Sequence, residues 1–274
     1  MTWATSAVTL RNGLTLSYRE QGDPSGPALV LVPGPTDSWW SYRPVLERLP
    51  PSLRVVAVSP RGHGDSDKPA SGYRVVDFAG DAVALIDALG IDRVVLAGHS
   101  GSCLVVRRAA IDRPERVAGL ILEASPVTLR GHRRFETFVE SVIVGLTDPI
   151  DADFARSFVT DTSSDVVDPD LLVRAVDEVR KVPAHVWREM FSDLLHYDDR
   201  EELGRLVAPT LLVWGDDDEL VDEEMQTELV SLIPNAELLV YAGAGHTPRW
   251  DAPARFAADT AALVERCVHE GRRG

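Results

Sequence analysis

The stretch Val94-Val95-Leu96-Ala97-Gly98-His99-Ser100-Gly101-Ser102 constrains this chain more than any other. A β-branched apolar run ends at a glycine, and a serine follows two places later. After two more small residues, the run Cys103–Ala110 is compatible with a helix. That order mounts a serine on a sharp strand-to-helix turn and holds its hydroxyl clear of the backbone at the edge of a sheet. Positions 98 and 102 have to be small because the turn brings their backbones together. Cys103, one residue into the helix, reads as a buried, inert thiol.

The first half of the chain alternates short β-type runs with helical patterns. Val8–Leu10 and Leu14–Arg19 flank Asn12-Gly13, which predicts a hairpin closed by a two-residue turn. Further strands are expected at Ala28–Val32, Val55–Val58, Val94–Ala97 and Val117–Glu123. Helices are expected around Ser41–Leu49, at Phe78–Leu89 with Gly90 as its C-cap, and at 101–111. Strands separated by helices imply βαβ units and a parallel sheet. From Ser125 to Leu206 the alternation stops. Only helical patterns remain, such as Phe135–Leu146, Leu171–Val182 and Ala184–Leu195. Ala208–Trp214 and Ala236–Tyr241 restore the strand signal, with helices at Glu223–Ile233 and Pro253–Val268. The expectation is an α/β core over residues 1–124 and 207–274, interrupted by a helical cap over residues 125–206. That interruption is too long for an ordinary loop.

At 274 residues the chain is long enough to bury a large core, and its 45% hydrophobic and 26% charged shares are those of a globular protein. The net charge of −15, with no Lys/Arg cluster, argues against nucleic acid and anionic membranes as partners. Cys103 and Cys267 are too few for a disulfide framework or a zinc site. Residues 1–5 lack a basic segment followed by an apolar one, and no apolar run is long enough to span a bilayer. The expectation is a cytoplasmic protein acting on a small-molecule substrate. No metal or organic cofactor is implied, and the oligomeric state is not legible.

A serine hydroxyl is a weak nucleophile at neutral pH. It needs a base, an acid to orient that base, and donors for the developing oxyanion. Loops at the carboxyl ends of parallel strands can gather such groups. His246 follows the strand ending at Tyr241, in the glycine-rich loop Ala242-Gly243-Ala244-Gly245-His246. Asp216, Asp217 and Asp218 follow the strand ending near Trp214. Together with the loop Ser59-Pro60-Arg61-Gly62-His63-Gly64-Asp65-Ser66-Asp67-Lys68-Pro69, these features make the chain resemble the α/β-hydrolase fold superfamily from Leu14 to Val268. The resemblance implies a mostly parallel central sheet flanked by helices, an N-terminal antiparallel hairpin and a helical cap insertion. It also implies Ser100 as nucleophile, His246 as base and Asp218 as acid. Glu123, at the end of a strand, is the alternative acid. His63 reads as a brace of the fold, while His99 lines the pocket or packs behind the turn. His132, His185 and His196 fall in the insertion.

One place departs from the family's pattern. The oxyanion donors should be the N–H of Gly101 and an N–H in the loop after the third strand. There the sequence is Pro33-Gly34-Pro35-Thr36, and Pro35, which has no N–H, stands where the donor is expected. The Thr36 hydroxyl or N–H is the candidate replacement, and either Trp39 or Trp40 is expected to face the pocket. The resemblance implies a serine hydrolase that cleaves a small, largely apolar carboxylic ester or lactone through an acyl-enzyme. A carbon–carbon bond hydrolase or a cofactor-free perhydrolase would use the same triad. Pro35 also leaves open a ligand-binding protein that has kept the fold without the turnover.

Overall fold

The computed structural model describes residues 4–164 and 167–271. Its strands are β1 (Ser6–Thr9), β2 (Thr15–Gln21), β3 (Ala28–Val32), β4 (Arg54–Val58), β5 (Val94–His99), β6 (Val117–Glu123), β7 (Thr210–Gly215) and β8 (Ala236–Tyr241). They form one sheet in the order β1-β2-β4-β3-β5-β6-β7-β8. β1 and β2 pair antiparallel, as do β2 and β4, and all the other pairs are parallel. Helices cover both faces of a parallel sheet, so its inner strands read as unbroken apolar runs. β5 and β7 are buried at every position, whereas the edge strand β8 is only partly covered. A core lies on each face: Leu96, Leu104 and Leu120 on one, Leu31, Val55 and Phe256 on the other.

The hairpin turn sits one position earlier than expected. Thr9 pairs with Thr15, Gly13 N–H donates to Leu10 O, and Leu10 N–H donates to Leu14 O. The loop therefore has three residues, and Gly13 takes the left-handed conformation at φ 86° that closes it. A two-residue turn would have shifted β1 by one residue and turned its side chains to the opposite face.

Between β6 and β7 the chain forms the helices Arg133–Ser141, Ala152–Asp161, Pro169–Val179 and Ala184–Leu194, with no strand among the described residues. The first ends sooner than its periodicity predicts. A β-branched run, Val142-Ile143-Val144, meets Gly145 there, and the backbone tightens into a short 3-10 turn over Ile143–Gly145. Two sets of contacts tie this insertion down. On one side, Arg107 of the helix Ser102–Asp112 is fully buried. It holds Asp199 with two nitrogens and donates to the carbonyls of Pro126 and Val127, so one guanidinium grips both roots of the insertion. On the other side, the helix Ala184–Leu194 presents two carboxylates to the start of the helix Val75–Ala88. Glu189 accepts the N–H groups of Gly72 and Tyr73, and Asp193 accepts that of Val75. These donors have no intrahelical partner, and the helix dipole favours negative charge near them. Among the described residues no helix is long and apolar enough to cross a membrane.

Candidate active site

Three strand ends converge on Ser100. At the end of β5 the backbone turns sharply. Ser100 has φ 53°, its N–H donates to Glu123 O at 2.8 Å, and its carbonyl accepts from Cys103 N–H at 2.9 Å. A Cβ on Gly98 would lie 2.7 Å from Ser102 O and 3.0 Å from Cys103 N, so only glycine fits beneath this turn. Thr36 after β3 (φ 74°) and Ala124 after β6 (φ 48°) share the left-handed conformation. Non-glycine residues avoid that region, so backbone strain is concentrated where the three strands end.

The loops after β7 and β8 are built against each other. A Cβ at Gly215 would sit 2.1 Å from Ala244 O, Asp217 N–H donates to Ala244 O, and Asp216 accepts the N–H of Gly243. This contact delivers His246 to Asp218. His246 Nδ1 lies 2.8 Å from Asp218 Oδ2, and His246 Nε2 lies 2.9 Å from Ser100 Oγ. Asp218 is buried and accepts on its other oxygen from the N–H groups of Leu220 and Val221. A carboxylate can only accept, so Nδ1 carries the imidazole proton and Nε2 is left with a lone pair for the Ser100 hydroxyl. Asp216 and Asp217 stay exposed as loop carboxylates.

Glu123 does not compete for His246. It is fully buried, with Oε1 accepting Arg249 N–H at 2.8 Å and Oε2 facing Arg249 Nη1 at 3.2 Å. Arg249 is also fully buried and reaches Asp37 Oδ2 and Ser41 Oγ. Its guanidinium lies over the rings of Tyr42 and Trp250. Sequence reasoning missed this cluster, because an arginine after His-Thr-Pro carries no local sign of burial.

His99 both lines the cavity above Ser100 and packs behind the base. Its Nε2–H donates to the carbonyl of His246 at 2.9 Å, and the two rings are 5.0 Å apart. Burial, with Arg249 and His246 nearby, holds the His99 imidazole well below its ordinary pKa, so it is neutral. Its ring nitrogen Nδ1 would lie 2.4 Å from a Cβ at residue 34, so Gly34 is required beside it. His63 braces the neighbouring loop by donating from Nδ1 to Arg61 O and accepting at Nε2 from Thr36 N–H at 3.0 Å. Burial lowers its pKa to about 4. Cys103 is buried against the carbonyls of Gly98 and Glu123, and burial pushes its thiol up to about 12.

Two expectations at the oxyanion loop fail. The N–H of Thr36 is taken by His63, and its hydroxyl is buried, unpartnered among the described residues and absent from the cavity wall. Trp39 is buried in the core on the opposite face of the sheet, and Trp40 lies between the guanidiniums of Arg43 and Arg174. Neither lines the cavity; Trp250 does. Gly101 stays in place at the N-terminus of the helix Ser102–Asp112, where an N–H has no intrahelical acceptor. Pro35 packs directly against it, its Cγ 2.9 Å from where a Cβ on Gly101 would be.

A cavity of about 460 Å³ opens above Ser100 and His246. The insertion supplies most of its far wall, with Leu129, Phe135, Phe138, Phe154, Phe158, Phe191 and Leu194. The phenylalanines pack ring on ring, as between Phe138 and Phe158 at 6.2 Å and Phe158 and Phe191 at 6.5 Å. Polar side chains interrupt this apolar wall, among them Asp37, His132, Arg134, Ser157, Asp161 and Thr162. Among the described residues no group of three or more His, Cys, Asp or Glu side chains could hold a metal ion.

Residues 27–253 match the family described as alpha/beta hydrolase fold. The chain belongs to that family. A relative, 2-(acetamidomethylene)succinate hydrolase of Mesorhizobium japonicum, is 30% identical over 249 residues, covering 85% of each chain. Among solved structures, a bromoperoxidase from Bacillus anthracis superposes with a TM-score of 0.86 at 20% identity, covering 96% of this chain and 100% of its own. An esterase from Rhodococcus sp. ECU1013 superposes with a TM-score of 0.83 at 24% identity, covering 95% and 98%. At these identities the two structures establish the fold. Together the comparisons support hydrolase activity in general and do not fix the bond that is cleaved.

Proposed function

We propose that this protein is a serine hydrolase that cleaves a small, largely apolar carboxylic ester or lactone. The observation that carries the reading is the hydrogen-bonded chain from Ser100 Oγ through His246 to Asp218, at 2.9 and 2.8 Å, on the floor of an aromatic-lined cavity. His246 takes the hydroxyl proton as Ser100 Oγ adds to the carbonyl carbon. Asp218 fixes the imidazole tautomer and stabilises the imidazolium that forms. Gly101 N–H donates to the oxyanion. His246 then gives the proton to the leaving oxygen, and water, deprotonated by the same imidazole, hydrolyses the acyl-enzyme. Residues 125–206 act as a cap that excludes water and shapes the substrate.

A fluorophosphonate probe tests the reading directly. Rapid one-to-one labelling that disappears in Ser100→Ala supports it, together with turnover of short-chain p-nitrophenyl esters. A folded wild-type protein that is not labelled points instead to a ligand-binding role. A second reading, hydrolysis of a carbon–carbon bond with the same triad, draws on the 30% identical relative, whose name denotes a substituted succinate and not a simple ester. Labelling of Ser100 without turnover of any ester in the panel would favour it.

A further inference from the structure

We infer that Asp37 carries a proton on Oδ1 and donates it as a hydrogen bond to the oxyanion formed on Ser100 addition, in place of the N–H that Pro35 lacks. The inference rests on the serine-hydrolase reading above. Asp37 lies two residues beyond Pro35 on the same loop, and with Pro35, Ser100 and Gly101 it lines the cavity. Its two carboxyl oxygens differ. Oδ2 accepts from Arg249 Nη2 at 3.0 Å and from Ser41 Oγ at 2.8 Å. Oδ1 has no hydrogen-bond partner among the described residues, and the side chain, on the cavity wall, keeps 15% exposure.

Charge balance around Arg249 places the proton. One fully buried guanidinium faces two carboxylates, Glu123 and Asp37. With Arg249 and Glu123 fully buried and Asp37 largely so, a net negative charge on the three is costly, and binding one proton removes that cost. Both oxygens of Glu123 are engaged by donors of Arg249, so the free oxygen that can take a proton is Asp37 Oδ1. Burial raises the Asp37 pKa, and Glu178 of the facing helix Pro169–Val179 acts in the same direction, while Arg249, Ser41 and His246 oppose it. Tyr42, the other titratable group packed on Arg249, is held neutral by burial. A neutral carboxylic acid kept in an apolar site so that it can donate to an oxyanion is a known solution to this problem. During the addition, the Ser100 Oγ–carbon bond forms and the carbonyl π pair moves to oxygen. The Ser100 proton goes to His246 Nε2, and the Asp37 proton stays on Asp37.

The test uses wild type, Asp37→Ala and Asp37→Asn, with p-nitrophenyl butyrate turnover followed from pH 6 to 10 and melting temperature as the folding check. Removing one oxyanion donor lowers kcat by roughly 100- to 1000-fold, so Asp37→Ala is expected to fall that far with little change in KM. In Asp37→Asn an amide N–H replaces the acid O–H, so its kcat should recover to within about tenfold of wild type. Wild-type kcat should also fall as pH rises through the Asp37 ionisation, and Asp37→Asn should lack this alkaline fall. Full activity in folded Asp37→Ala, or equal losses in both variants, overturns the inference. If Asp37→Ala does not fold, an alkaline fall of the same size in wild type and Asp37→Asn overturns it instead. Any of these results with Ser100 still labelled by the fluorophosphonate leaves the hydrolase reading standing. Absence of labelling in wild type removes both.

Discussion

The strand-end loops and the helical insertion meet at the same cavity, but they are held by different means. The loops at Gly98–Cys103, Gly215–Val221 and Gly243–Arg249 are fixed through their backbone groups, which bond one another and the carboxylates of Asp216, Asp218 and Glu123, and at Gly98 and Gly215 by approaches so close that a Cβ would not fit. The insertion is held by side chains: the Arg107 grip on its roots, two carboxylates capping a helix of the core, and stacked phenylalanines. Backbone-built geometry varies little with temperature or ligand, whereas side-chain contacts can re-form around different guests. On the function proposed above, the framework would carry the chemistry and the insertion substrate choice.

The largest effect expected falls on the framework side. Ser100→Ala and Asp218→Asn should each lower kcat on p-nitrophenyl esters by about 10⁴-fold or more while the melting temperature moves little. A variant that melts early would show that these residues hold the fold together, and the division would fail. Next come the roots of the insertion. Arg107→Met strands the buried Asp199 carboxylate and should cost about 3–5 kcal/mol in denaturant unfolding, whereas Arg107→Met combined with Asp199→Leu should recover much of it. A loss of that size in ester KM alone, without loss of stability, would mean that Arg107 belongs to the cavity.

Acid sharpens the comparison further. His63 titrates near 4 when folded and near 6.5 when unfolded, so the unfolded chain binds the extra proton between those values. The stability it contributes is complete above the unfolded pKa and is lost as pH falls toward 4. By pH 5 the loss is about 2 kcal/mol, and His63→Gln should flatten that part of the pH–stability curve. His99, also depressed, adds in the same direction. The smallest effect expected is on the insertion's wall. Phe138→Ala should raise KM for a butyl or phenyl ester by roughly tenfold, with kcat within about twofold, because it removes apolar contact common to ground and transition states. A fall in kcat instead would give the wall a part in the chemistry.

What the sequence made legible follows the same line. Ser100, Asp218 and His246 each sit in a short pattern of strand, tight turn and small residues, and such patterns are set by local sterics. The sheet, with its interruption between Glu123 and Thr210, was readable for the same reason. Asp37 and Arg249 stand 212 positions apart and meet only because β3 and the chain after β8 end on the same side of the sheet. No periodicity announces such a pair. The errors at Thr36 and Trp39 have a related origin. Thr36 N–H is claimed by His63 and Trp39 by a core gathered from distant strands, and nothing in Pro-Thr-Asp-Ser-Trp signals either partner. The hairpin erred by one residue because Asn-Gly fits either a two-residue turn or the end of a three-residue one.

The 2.1 Å approach of residue 215 to Ala244 O means that the acid-bearing and base-bearing loops cannot be redesigned one at a time. Lengthening either would pull the proton relay apart. Among the described residues the stretch between β6 and β7 meets those turns only through side chains: Ser164 donates to Asp251, which accepts Gly245 N–H, and Arg134 donates to Glu219 O, while Arg107 grips its roots. Engineers wishing to retarget this scaffold should therefore exchange residues 128–198 as a block, retain the Arg107 grip on Pro126, Val127 and Asp199, and leave the two interlocked turns untouched.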